Sequence, residues 1–494
     1  MPEQTHLKRT EPLPSQATPQ PELSPEEMAQ HPSCDVGVIG LGPIGRNYAL
    51  NLAEHGFHVT ACDYDLVKVE AAWKESEGLT LHVTDTLNDF LATLKSPRII
   101  FIILQAGSPV DRALADLLPH LKSLDLVIDG SNSHFEDTDV RATVLLEHEA
   151  QLMSLGISGG EEGVRHGPCL MVGGAKDAFR QIEHILEETA AKINGDACLA
   201  YVGASSSGHY AKIIHTGIEY ALTQLIAESY NLMKQGLELS DDELSAVYQQ
   251  WDDEELQGYL LAASARIFRD EAGRGGRRPI DAIHEEIIRK GTGRWMAQDA
   301  MELNVPTPTV DAAVAVRSMS KSLRESDAFE RPDRTYQGDR GIFLDQLRNA
   351  LYAAMVIAYA QGMAQLQKAS AVYEYGFDLE DMARIWRAGS TIRSAIVPKI
   401  RAAFHARMDL PNLLADPLLG SEVIARHEDL RAIVRAGLDL MIPVPALAAS
   451  AAYFDSYFNS WSPANFIQAQ HEDAESHMYG LDAKGTFYTQ WISI

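Results

Sequence analysis

Val36-Gly-Val-Ile-Gly40-Leu-Gly42-Pro-Ile-Gly45 runs from four residues able to form a strand straight into three glycines with the spacing GxGxxG. A bare GxGxxG says little. Here an apolar run precedes it and an amphipathic stretch to about His55 follows it, so the expected order is strand, tight turn, helix. In that context the first glycine permits the turn, the second lets backbone approach a pyrophosphate, and the third lets helix pack close to strand. The helix start offers unpaired N–H groups and the positive end of a dipole to an anion. A second strand, Phe57 to Cys62, leads to Asp63, eighteen residues beyond Gly45, where a carboxylate can accept hydrogen bonds from an adenosine ribose. A dinucleotide site is therefore expected at Gly40, Leu41, Gly42, Pro43, Ile44 and Gly45, with Asp63, Tyr64 and Asp65. Cys62-Asp-Tyr-Asp65 carries two carboxylates and no arginine. A 2′-phosphate would meet repulsion there, which favours NAD over NADP.

Working outward, apolar runs at Ile99–Leu104, Leu126–Asp129, Gln151–Leu155 and Leu170–Val172 alternate with helical segments such as Val110–Leu121 and Phe135–Glu149. Such alternation predicts a mostly parallel, doubly wound sheet, an α/β Rossmann-like domain over residues 34–204. After Val202 the strands stop. Ser205, Ser206 and Ser207 are N-cap residues, and a helical pattern of roughly thirty residues runs from them to Gly236 without a proline. Residues 205–462 read as one large all-α domain. Within it, Tyr220 through Gly236-Leu-Glu-Leu239 to Tyr248 resembles Tyr352 through Gly376-Phe-Asp-Leu379 to Trp386. A period of about 140 residues is too long for a solenoid, so an internal duplication of a helical bundle is expected. Residues 463–494 form a C-terminal tail, and residues 1–33, rich in Pro, Gln and Glu, a disordered N-terminal one.

Bulk properties narrow the function. With 494 residues and 46% hydrophobic content the chain can bury more than one core. A net charge of −27 argues against nucleic acid and anionic membranes as partners. No apolar run reaches the roughly 18 residues a membrane span needs, and no signal peptide is recognisable. Cys34, Cys62, Cys169 and Cys198 lack metal-ligand spacing and are too few for a disulfide framework, so the expectation is no metal and a reducing, cytoplasmic location.

Chemistry concentrates in Gly208-His-Tyr-Ala-Lys-Ile-Ile-His-Thr-Gly-Ile-Glu-Tyr220. Lys212, His215, Thr216, Glu219 and Tyr220 fall at i, i+3, i+4, i+7 and i+8 and share one helix face. Lys212 and Glu219 are then roughly 10 Å apart along the axis, too far for an i,i+4 salt bridge and suited to a substrate with a base at one end and an acid at the other. Buried amines and carboxylates are costly and commonly work chemically.

These stretches, with Asp129-Gly-Ser-Asn-Ser133, Ile157-Ser-Gly-Gly-Glu-Glu-Gly163, Lys290-Gly-Thr-Gly-Arg-Trp295, Ala350-Leu-Tyr352, Tyr359-Ala-Gln-Gly362, Ile385-Trp-Arg387, Ile392-Arg-Ser394 and Phe466-Ile-Gln-Ala-Gln470, resemble the 6-phosphogluconate dehydrogenase family of β-hydroxyacid dehydrogenases from about Val36 to Trp491. The resemblance implies an NAD(P)-dependent oxidoreductase of the pentose phosphate pathway. It would convert 6-phosphogluconate to ribulose 5-phosphate and CO2 without a metal, as a homodimer whose tail reaches the partner's active site. It also implies Lys212 as general base and Glu219 as acid. Asn132, Ser158, Gly159, Gly160 and His215 would bind substrate, and Tyr220, Lys290, Arg317 and His477 would surround the phosphate. Leu104, Gln105, Ala106 and Asn132 would line the cofactor. The chain departs from the family at four points. Asp63-Tyr64-Asp65 replaces Asn-Arg-Thr, Gln105 a lysine, Thr216 an asparagine near nicotinamide and substrate, and His471 the tail arginine that grips phosphate. An imidazole is a poorer phosphate ligand than a guanidinium, leaving Lys290 and Arg317 as the cationic clamp. Two other readings share these residues: a related β-hydroxyacid dehydrogenase acting on a different sugar acid, and a catalytically silent dinucleotide-binding protein.

Overall fold

In the computed structural model, which describes residues 33–269, 280, 292–319, 334–475, 479–481 and 485–487, Val36–Ile39 is the fully buried strand β1 of an eight-stranded sheet. The other strands are β2 (Val59–Cys62), β3 (Leu81–Thr84), β4 (Ile99–Ile102), β5 (Leu126–Asp129), β6 (Gln151–Ser158), β7 (Cys169–Gly173) and β8 (Leu199–Gly203). Their order is β8-β7-β6-β5-β4-β1-β2-β3. β1 to β6 are parallel, β7 runs against β6, and β8 follows β7. Because successive strand residues point to opposite faces, each strand feeds two cores. Val38, Phe101 and Ile128 join one with Tyr48 and Ile182; Ile39, Ile100, Ile102 and Val127 join the other with Phe90 and Leu114. The helices around the sheet are α1 (Pro43–Glu54), α2 (Leu66–Glu75), α3 (Leu87–Thr93), α4 (Ser108–Leu117), α5 (Phe135–Glu147), α6 (Gly160–His166) and α7 (Lys176–Thr189).

Two sheet strands escaped the hydrophobic pattern. β3 is a partly exposed edge strand in which polar residues alternate with Leu81 and Val83, and β8 lies directly before the helical half. Nor do strands end at Val202. β8 continues to Gly203, and Tyr479–Leu481 pairs antiparallel with Gly485–Phe487 in the tail, two three-residue strands too short to leave a periodic signal.

α8 (Ser207–Asn231) is continued by a wider turn over Leu232–Gly236. Most of its first sixteen residues are buried, so it is a core helix with no solvent stripe there. Ser206 stands at its N-cap but makes no side-chain cap; its hydroxyl meets Tyr375 Oη at 2.9 Å instead. There follow α9 (Asp241–Asp253), α10 (Tyr259–Arg269), α11 (Thr292–Glu302), α12 (Pro308–Met319), α13 (Arg340–Val372), α14 (Leu379–Ile385), α15 (Ile396–Ala406), α16 (Pro417–Asp439), α17 (Pro445–Phe458) and α18 (Ala464–Glu475). α8 and α13 pack on one another, and each leads through a glycine, Gly236 or Gly376, to a second helix capped by a side chain, Ser240 for α9 and Asp378 for α14. The duplication read from the sequence is this repeated pair of long helix and capped short helix. Among the described residues no helix is long and apolar enough to cross a membrane, and all four cysteines are free and buried.

Candidate active site

The glycine turn has the geometry its spacing predicts. Gly40 has φ +103°, and a Cβ there would lie 2.3 Å from the Ile103 carbonyl oxygen. A Cβ on Gly45 would lie 1.9 Å from the Gly40 oxygen, so α1 packs against the turn only without a side chain. Gly42 instead faces open space at the start of α1, where Pro43 opens the helix without an N–H and the first-turn N–H groups of Ile44 and Gly45 have no partner within the helix to compete with an anion. Asp63, at the end of β2, accepts hydrogen bonds from Leu41 N–H at 2.8 Å and Asp65 N–H at 2.9 Å. One part of the expectation needs correction. The acid pair is not unaccompanied, because Lys68 on the first turn of α2 reaches Asp63 at 3.4 Å and Asp65 at 3.6 Å. Beside them a cavity of about 340 Å³ is lined by Gly40, Asp63, Tyr64, Leu104 and Arg112. Gln105 is exposed and Ala106 half-buried in the turn after β4.

At the end of β5, the fully buried Asp129 accepts hydrogen bonds from Ser131 N–H at 2.9 Å and Ser133 Oγ at 2.7 Å. Arg141 backs this turn, donating to Ser133 Oγ at 2.8 Å and pairing with Asp111 at 2.8 Å. The turn holds Asn132 at φ +52°, a conformation asparagine tolerates, with its side-chain oxygen shielded and without a hydrogen-bond partner among the described residues. His209 ties α8 to the same place, meeting the Asp129 carbonyl at 2.8 Å and Thr138 Oγ1 at 2.7 Å. Burial lowers its pKa.

Lys212, His215, Thr216, Glu219 and Tyr220 line one side of α8. Lys212 is 8% exposed, while Glu219 keeps 30% of its side chain accessible. Between them His215 is fully buried. Its Nε2 meets Ser158 Oγ at 3.0 Å and Ser390 Oγ at 2.9 Å. Its Nδ1 has no hydrogen-bond partner among the described residues and lies 4.0 Å from Glu219 Oε2. Burial, and then the Lys212 charge, hold the imidazole well below its ordinary pKa, so it is neutral. Thr391 Oγ1 donates to Glu219 Oε2 at 2.7 Å, and Thr391 N–H approaches Ser158 Oγ at 3.4 Å. Gly159, at φ +137°, and Gly160, at φ +68°, turn the chain from β6 toward Gly389 in backbone angles that side chains resist.

The Thr216 hydroxyl donates to the Lys212 carbonyl at 2.9 Å, one turn back on its own helix, and keeps its lone pairs for a ligand's donor. Arg317 stacks on the Tyr220 ring at 3.7 Å and donates to Thr223 Oγ1 at 2.8 Å; burial lowers its pKa. His471 is exposed on α18, away from the other site residues' buried setting. Lys290 and His477 lie outside the described residues. Ser390, Thr391, Arg141 and His209 were not singled out from the sequence. Ser390 and Thr391 lie between Ile385-Trp-Arg387 and Ile392-Arg-Ser394, the two quoted stretches that bracket them.

A parallel sheet with an anion-binding glycine turn, followed by a buried helix carrying an amine and a carboxyl group, defines a nicotinamide-dinucleotide dehydrogenase of the β-hydroxyacid type. Comparison with known proteins narrows the class. Residues 35–203 match the NAD binding domain of 6-phosphogluconate dehydrogenase, and residues 208–491 match the 6-phosphogluconate dehydrogenase C-terminal domain. The chain is 37% identical to the decarboxylating 6-phosphogluconate dehydrogenase of Staphylococcus aureus over 463 residues, 92% of this chain and 99% of that one. It is 36% identical to the NADP(+)-dependent decarboxylating enzyme of Bacillus subtilis, over the same shares of each chain, 92% and 99%. The structure of Plasmodium falciparum 6-phosphogluconate dehydrogenase, known in its apo form and with NADP+ or 6-phosphogluconate, matches with a TM-score of 0.85 at 32% identity, covering 93% of this chain and 100% of that one. The chain belongs to the 6-phosphogluconate dehydrogenase family.

Proposed function

We propose that this chain oxidises 6-phosphogluconate and releases CO2, giving ribulose 5-phosphate. The observation that carries the reading is the pairing on α8 of a buried Lys212 with Glu219, whose carboxylate is tethered by Thr391. Lys212 removes the C3 hydroxyl proton as hydride leaves C3. Bound NAD(P)+ supplies the hydride acceptor. The resulting Lys212 ammonium donates a hydrogen bond to the new C3 ketone, so that the C1–C2 bond can break and its electron pair can settle into an enediol. Glu219 then protonates the former C2, which becomes C1 of the product, while the proton on the former C3 oxygen returns to Lys212 and leaves the ketone. Ser158, Gly159, Gly160 and Asn132 surround the sugar acid. The shielded oxygen of Asn132 and Nδ1 of His215 are partners for its hydroxyl groups. Tyr220 and Arg317, with Lys290, His471 and His477, take the phosphate end.

In this reading residues 34–204 hold the cofactor, 205–462 form the substrate and dimerisation domain, and 463–494 reach a second copy. Trp461, Phe466 and Ile467 support that arrangement, being 66%, 64% and 52% exposed in a segment whose apolar groups need cover. Asp63 and Asp65 favour NAD over NADP even with Lys68 between them, because one cation leaves the pair net negative. Four free, buried cysteines fit a cytoplasmic setting. The test is turnover of 6-phosphogluconate against gluconate, with reduced cofactor and CO2 counted together. Equal moles of each, and a clear preference for the phosphorylated acid, are expected. Equal turnover of gluconate would move the assignment to another sugar acid.

A further inference from the structure

The cavity at the carboxyl ends of β1, β2 and β4 has an uneven chemistry. Its floor is apolar, from Ile39, Leu87, Leu104 and Ala113, and Tyr64 enters at its rim from the end of β2. Arg112, on α4, is the only cation that lines it among the described residues. The acids beside Arg112 are engaged elsewhere: Asp111 pairs with Arg141 at 2.8 Å, and Asp116 accepts a hydrogen bond from Tyr64 Oη at 3.3 Å. Arg112 itself is exposed and makes no hydrogen bond or ion pair among the described residues. Burial and the nearby Asp116 push the Tyr64 hydroxyl up to about 12, so the ring stays neutral.

An apolar slot with an aromatic ring and a planar cation at its rim fits a purine, whose flat face stacks on both. The need for a cation is real in a chain of net charge −27 that binds an anionic dinucleotide. We propose that Arg112 stacks on the adenine ring from the α4 side, with Tyr64 at the β2 side, and sets the affinity for the cofactor. This rests on the placement of adenosine beside Asp63 in the functional reading above. The ribose hydroxyls fall to Asp63, and Arg112 acts on the base.

The test uses the full chain and three probes. In Arg112→Ala, KM for NAD should rise about tenfold, with kcat and KM for 6-phosphogluconate unchanged. Calorimetric binding of ADP-ribose should weaken by the same factor, while inhibition by nicotinamide mononucleotide, which lacks adenine, should not move. Arg112→Lys should recover only part of the loss, because an ammonium keeps the charge and loses the plane. Unchanged ADP-ribose affinity in Arg112→Ala, full recovery in Arg112→Lys, or a loss confined to NADP would each overturn the proposal. The last would make Arg112 a 2′-phosphate ligand. Since ADP-ribose binding needs no turnover, failure here is separable from failure of the assigned reaction.

Discussion

Replacing Thr391 with valine keeps the shape of the side chain and removes the hydroxyl that holds Glu219. Thr391 Oγ1 donates to Glu219 Oε2 at 2.7 Å, and His215 Nδ1 stands 4.0 Å from the same oxygen. As the acid of the step Glu219 carries a proton, and a hydrogen bond between neutral groups contributes about 0.5–1.5 kcal/mol. At about 1 kcal/mol, and about 1.4 kcal/mol per decade, kcat should fall about fivefold, with KM for 6-phosphogluconate little changed. The assay is steady-state kinetics in H2O together with the stereochemistry of deuterium incorporation at C1 of the product in D2O. An untethered carboxylate should deliver the proton to both faces, and Thr391→Ser should restore both rate and stereochemistry. A valine variant with kcat within twofold of the parent and one-sided incorporation would refute the role of Glu219 as the acid Thr391 positions.

Asp63→Asn keeps an acceptor for Leu41 N–H and removes a charge, so the ratio of kcat/KM for NAD to that for NADP should fall about tenfold; a ratio that does not move would show that Asp63 does not discriminate. Glu228 is a buried carboxylate on α8 that accepts hydrogen bonds from Ala446 and Leu447 N–H at the start of α17, and burial raises its pKa from 4.5 to about 7. A raised folded pKa means that its stability contribution is complete below pH 4.5 and is lost as pH rises through about 7, by roughly 3 kcal/mol at most. Glu228→Gln should therefore flatten the decline in Tm over that window, and parallel Tm curves would contradict the assignment. His209 and His215, both held below their ordinary 6.5, act oppositely: their contribution is present above pH 6.5 and is lost as pH falls. Truncation after Phe458 removes the exposed Trp461, Phe466 and Ile467 and should yield monomers in sedimentation with activity reduced at least a hundredfold; an active dimer would separate the tail from both roles.

What could be read from the sequence was what lies close along the chain. Gly40, Gly42 and Gly45 act within one turn, and Lys212, His215 and Glu219 share a face because helical spacing is local. The doubly wound, mostly parallel sheet followed from apolar runs alternating with helical segments, and β3 was missed because its polar residues blur that pattern. Contacts between distant residues left no trace. Thr391 reaches Glu219 and Ser390 reaches His215 across more than 170 positions, brought there by the turn between α14 and α15. Lys68 was visible as a residue, but only the start of α2 shows that it bridges Asp63 and Asp65. Spacing put Thr216 on the face of Lys212 and Glu219 but did not show the bond its hydroxyl donates to the carbonyl one turn back, which fixes the direction of its lone pairs.

Oxidation at C3 requires Lys212 as the base. Mixing Lys212→Met with NAD and saturating 6-phosphogluconate in a single turnover, and following absorbance at 340 nm, tests it most directly. No reduced nicotinamide should form while calorimetry shows NAD bound with near-parental affinity. Hydride transfer at a rate close to the parent's would mean that another group takes the C3 proton.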